Sequence, residues 1–215
     1  MKQLFAVTAL AVLGLTVTFA QAPQGHDADN MMKGGSLPAG WMARLDSGST
    51  KPDGVMMMPM GTGLHFKTGP AGIYYRQADT KSGAYEVHAS FSQVEPAEHP
   101  EAMGLFIGGS NLAAANQKYT YFLVRQDGMF LIKRRDGAQT PDVKDWTASP
   151  AVKKTDAATK GVNVLTIAVA ADKVRFLVNG TEVHSATPAQ VDTSGIAGLR
   201  VNHNLNVHIE NFGVK

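Results

Sequence analysis

Asn179-Gly180 sits between two runs of alternating residues, Val174-Arg-Phe-Leu-Val before it and Glu182-Val-His-Ser after it. A two-residue Asn-Gly loop suits the hairpin turn in which both central residues take positive φ. Period-two alternation of β-branched and aromatic residues places one side of each strand against a core. The pattern extends in both directions. Val164-Leu-Thr-Ile-Ala-Val precedes it, and Gly195-Ile-Ala-Gly-Leu-Arg-Val and Val207-His-Ile-Glu-Asn-Phe follow. A chain written this way folds as antiparallel sheet.

Upstream the same grammar continues. Residues 41–45, 55–58, 63–67, 72–76, 84–94, 103–108, 119–126 and 129–135 read as strands, followed by 162–170, 173–178, 182–185, 195–202 and 206–214. Segments 111–117 and 141–146 read as helical turns. Short strands at this spacing, with almost no helical period, predict an all-β antiparallel sandwich. Tyr85, Val87, Ala89 and Phe91 alternate with Glu86, His88, Ser90 and Ser92, so one face is buried and one is wet. The stretch 119–125 differs, because Tyr121 and Leu123 make its second face apolar as well. Such a strand is central in its sheet, or its outer face is covered. Asp127-Gly128 then turns the chain into Met129.

The ends of the 215-residue chain bound its location. Lys2, an apolar run from Leu4 to Phe19 and Ala20-Gln21-Ala22 have the order of a secretory signal peptide over residues 1–22. The apolar run is too short to span a bilayer, and no cysteine follows it to carry a lipid. Residues 23–40 read as a flexible leader and 41–215 as one sandwich domain, periplasmic or secreted and monomeric by default. The absence of cysteine removes thiol catalysis, thiolate zinc sites and iron–sulfur clusters. A formal net charge of +2 argues against nucleic-acid binding, and Lys133-Arg134-Arg135 alternates between strand faces rather than forming a stripe.

The order of motifs resembles the concanavalin A-like, laminin-G-like jelly-roll sandwiches, and among them the bacterial exported 3-keto-disaccharide hydrolase-like domains. Gly72-Ile-Tyr-Tyr-Arg, Tyr85-Glu-Val-His-Ala-Ser-Phe, Gly104-Leu-Phe-Ile-Gly-Gly and the C-terminal series carry the likeness. The resemblance implies a jelly roll and a carbohydrate ligand or substrate. The alternate-carboxylate strand of the superfamily's glucanases, Glu-x-Asp-x-x-Glu, has no counterpart here. No local pair of carboxylates is therefore set up for a retaining mechanism.

Candidate residues follow from chemistry. The loop holding Glu98, His99 and Glu101 is stiffened by two prolines and gathers groups suited to acid–base work. Ser110 and Asn111, after Gly108-Gly109, offer neutral hydrogen-bonding groups where little bulk obstructs a ligand. Tyr74 and Tyr121 offer sugar-stacking faces, with Tyr119 and Trp146 further aromatics of that kind. Arg76, Arg125 and Lys133 can meet an anionic or hydroxyl-rich ligand. Met56, Met57, Met58 and Met60 suit copper(I), since thioether is a soft donor. Met also fills irregular cores and Pro59 interrupts the run, so neither metal nor cofactor is assigned.

The leading expectation is a non-catalytic module binding a glycan or glycoconjugate, with no membrane span after signal cleavage. The alternatives are a glycoside hydrolase or lyase acting on (3-keto-)disaccharides, and a structural module packing on another envelope protein through an exposed apolar patch around Tyr121 and Leu123.

Overall fold

The computed structural model describes residues 34–215, so the expected signal peptide and most of the leader lie outside the described residues. Among the described residues, fourteen strands, numbered along the chain, form two seven-stranded antiparallel sheets. The front sheet runs β1 (Met42–Leu45), β4 (Gly72–Lys81), β13 (Gly195–Val201), β6 (Ala102–Ser110), β7 (Lys118–Arg125), β8 (Met129–Asp136), β9 (Asp142–Ala148). The back sheet runs β12 (Thr181–Ala186), β11 (Val174–Val178), β10 (Val162–Val169), β5 (Tyr85–Gln93), β14 (Asn206–Val214), β3 (Gly63–Thr68), β2 (Val55–Met60). The expected sandwich of jelly-roll type is the fold observed.

The Asn-Gly turn forms as its sequence dictates, with φ of 50° at Asn179 and 81° at Gly180. Its side chain does more than permit the turn. Asn179 Oδ1 accepts from the Val164 N–H at 2.9 Å, and its Nδ2 donates to the Ala151 carbonyl at 2.8 Å. The hairpin tip is thereby tied to β10 and to the loop before it.

Between the sheets, alternation produces a continuous apolar layer. Val87, Ala89 and Phe91 from β5 meet Leu105, Ile107, Phe122 and Val124 from the front sheet. Phe122 lies with its ring centroid 5.5 Å from Phe176 of the back sheet and 6.3 Å from Phe130, both edge-on. Such tilted pairs add to area burial because ring edges are positive and faces negative.

Three local readings are corrected. Segment 141–146, read as a helical turn, belongs to strand β9, an edge strand beside β8 whose register shifts twice. Its charged residues and half-buried faces hide the alternation. Segment 111–117 is a set of turns with no helix. Strand β4 runs on to Lys81, because Thr80 and Lys81 pair with Ile196 and Gly195. The described end of the leader is also held: Gly54 donates to the Gly34 carbonyl, Ser36 to that of Val55, and Met57 to that of Ser36.

Phe122→Ala should cost about 3–5 kcal/mol, the usual loss for truncating a fully buried Phe. In urea unfolding the midpoint falls while the slope stays constant.

Candidate functional site: the outer face of the front sheet

A second buried apolar cluster lies on the far side of the front sheet, away from the inter-sheet core. Ile73, Tyr75, Phe106, Tyr119, Tyr121, Leu123 and Leu131 belong to it, with Met42 and Trp146 packed alongside. The register explains its layout. One row across the sheet reads Arg44, Ile73, Arg200, Gly104, Leu123, Leu131; the next reads Met42, Tyr75, Gly198, Phe106, Tyr121, Lys133. Tyr119 pairs with Arg135 one step further. Residues on one row and one face are close neighbours.

The two glycines are required by close approach. A Cβ on Gly104 would sit 2.0 Å from the Phe122 carbonyl oxygen, and one on Gly198 would sit 2.5 Å from the Phe106 ring. They leave the floor low beside Arg200 and beneath the aromatic rings.

Three guanidiniums share this face. Arg200 forms a two-pronged ion pair with Asp46, Nη1 to Oδ1 at 2.9 Å and Nη2 to Oδ2 at 2.8 Å, and lies 5.2 Å from the Tyr121 ring centre. Arg44 donates to the Leu45 carbonyl at 3.0 Å. The Nε atoms of Arg44, Arg135 and Arg200 are all buried with no hydrogen-bond partner. Burial opposes ionisation of Asp46, yet Arg200 first, then Arg135 and Arg44, outweigh it and hold its carboxyl below the usual range. One carboxylate therefore answers three guanidiniums. At the rim, Arg125 stacks 4.4 Å from the Trp146 ring centre and pairs with Asp127, while Lys133 pairs with Asp142 at 3.1 Å.

The other expected residues fall elsewhere. Tyr74 is wholly buried in the inter-sheet core against Phe66, so it cannot reach a ligand on this face. Arg76 pairs with Asp79 and lies 5.0 Å from the Trp41 ring centre and 5.5 Å from that of Phe212, beside a small cleft lined also by Leu64 and Ile209 of the back sheet. Ser110 ends β6 and Asn111 follows it, lining a cavity of about 370 Å³ with Leu112, Met42, Tyr75 and Ile196. Glu98 and His99 are exposed in their loop. Glu101 sits where β6 begins, 2.7 Å from His203 Nε2 and 3.2 Å from Asn202 Nδ2. Tyr121 and Leu123, expected as an exposed apolar patch, are only 6% and 2% exposed. Arg44, Asp46, Tyr75 and Arg200 escaped the sequence reading. The alternation that buries Ala197, Leu199 and Val201 is the signal that turns Arg200 the other way.

Among the described residues, no group of three or more His, Asp or Glu side chains is placed to hold a metal ion. Planar guanidinium forks match carboxylate, sulfate or phosphate oxygens, and the buried tyrosine rings form the apolar bed in which they are set.

Neither a family model nor a curated protein matches the chain by sequence. Solved structures share its fold. The carbohydrate binding module CBM66 from Bacillus subtilis superposes with a TM-score of 0.60 at 11% identity, over 86% of this chain and 99% of that one. A Bacillus subtilis protein of unknown function with a galectin-like fold gives 0.59 at 13% identity, over 81% and 88%. The polysaccharide lyase family-7 alginate lyase A1-II' gives 0.55 at 12% identity, over 81% and 93%.

Two titrations follow from the electrostatics. Burial raises all five tyrosines, Tyr121 to about 12. Unfolded tyrosine ionises at about 10, so the folded state keeps its full tyrosine contribution below that pH and loses it as pH rises further. Phenolate absorbance should therefore appear together with unfolding in alkali, not before it. Asp46 has the opposite sign. Its contribution is complete at neutral pH and is lost as pH falls below about 4. Asp46→Asn should flatten the acid side of a plot of urea midpoint against pH.

Proposed function

We propose that this chain is an exported, non-catalytic glycan-binding module that holds an acidic saccharide against the outer face of the front sheet. The observation that carries this reading is the excess of guanidinium over carboxylate around Arg200, Arg44 and Arg135, set among tyrosine rings. Three guanidiniums outnumber the single carboxylate they share, and an oxyanion at the rim of the face is the partner that best balances their charge. A neutral sugar leaves the charge imbalance as it was; a uronate, sulfated or phosphorylated sugar corrects it. The shared jelly-roll fold supports the same reading, since one neighbour is named as a carbohydrate binding module and another as an alginate lyase.

A second reading rests on Glu101 and His203, a carboxylate and an imidazole in contact at the end of the front sheet. In it the chain cleaves (3-keto-)disaccharides, with Glu101 as base. Turnover of such substrates, abolished by Glu101→Gln, would support it; no turnover by the full chain would remove it.

The binding reading is tested by calorimetry with oligouronates and neutral oligosaccharides of equal length. Oligouronates should bind and neutral sugars should not, with affinity falling as salt rises. Arg44→Gln and Arg135→Gln should each weaken binding about tenfold or more, the usual worth of a charge-assisted hydrogen bond. Equal binding of neutral sugars, or no binding of either at millimolar concentration, would overturn it.

A further inference from the structure

The back sheet carries a different chemistry on its own outer face. Alternation along β2 sends Met57 into the core, where it is 1% exposed, and leaves Met58 and Met60 outside at 42% and 51%. Pro59 does not break this pattern. Strand β2 is the edge of the back sheet, where a proline is tolerated because a lost N–H donor need not cost a ladder bond.

The register then brings imidazoles to these thioethers. Met58 pairs with His65 across β2 and β3, and His65 pairs with His208 across β3 and β14. The two imidazole rings meet edge to face with centroids 5.0 Å apart. Met60 reaches over Gly63, its cross-strand partner, and its sulfur is in contact with His208 Nε2. His65 Nδ1 is buried and has no hydrogen-bond partner. Two methionines and two histidines from three adjacent strands thus share one patch of the outer face.

We propose that Met58, Met60, His65 and His208 form a surface site for a soft monovalent metal ion, copper(I). Thioether sulfur is a poor donor to hard cations and a good one to copper(I), and imidazole completes the set. All four donors are neutral, and Lys67 stands next to His65 on β3 with its charge in range of the ring. Glu210 lies beside Gly63 at the margin of the set, so the preference for copper(I) rests on the softness of the two thioethers. The exposure of the two methionines fits as well. Large exposed hydrophobics among the described residues are Met58, Met60, Val162 and Val164, and two of these four are proposed ligands. Packing accounts for Met57; it does not account for two methionines left in solvent beside two histidines.

This site lies on the opposite sheet from the arginine face and does not rest on glycan binding. The test uses the full chain, with a chromophoric copper(I) chelator as competitor and silver(I) as a redox-inert probe. One equivalent of copper(I) should be withheld from the chelator. Silver(I) should shift the ε-methyl resonances of Met58 and Met60 among the ten methionines, while zinc(II) should not. The Met58→Leu/Met60→Leu double variant conserves volume at exposed positions, so it should keep its thermal midpoint and lose the metal. His208→Gln should lose it too. No withheld copper(I), or undiminished binding by both variants, would overturn the assignment.

Discussion

Each strand of this sandwich must give one side to the layer between the sheets, and everything else in the molecule is arranged around that demand. The pairing of Phe122 with Phe176 across the gap fixes which residues of β7 and β11 face inward. Because strands have a period of two, fixing one inward residue fixes the outward set of the entire strand. Antiparallel pairing then passes that choice to the neighbours, row by row. The arginine–tyrosine face and the methionine–histidine face are both consequences of it.

The front sheet uses its freedom at a cost. Burying a guanidinium disfavours its charged form, and for Arg200 the two-pronged ion pair with Asp46 offsets that cost. The proposed acidic saccharide would complete the charge balance that Asp46 alone leaves open.

The sequence made the sandwich legible because alternation, turn glycines and the Asn-Gly pair all agree. It failed where the signals conflict. Strand β9 carries Asp142, Lys144 and Asp145 at an edge, so its period was masked. The site was less legible than the fold. Tyr121, Arg125 and Lys133 were singled out on strand logic and do lie on one face, but Tyr74 was separated from Tyr75 by nothing more than parity. Its neighbour Tyr75 faces outward while Tyr74 faces Phe66. Arg44 and Arg200 come from strands far apart in the chain, and their meeting at Asp46 depends on the order β1-β4-β13, which no local pattern contains.

Pro59 has a consequence beyond the orientation of its neighbours. An edge strand offers unpaired amides to any extended peptide that drifts alongside it, including one from another copy. At β2 the start of the strand is already occupied by the bridge from Ser36 to Met56, and further along Pro59 has no amide hydrogen to offer. An incoming strand would find its first register positions taken and a gap where a later bond should form. The rim that displays the methionines is thus poorly suited to extending the sheet, which lets soft, sticky side chains stand in the open without turning that edge into a seed for aggregation.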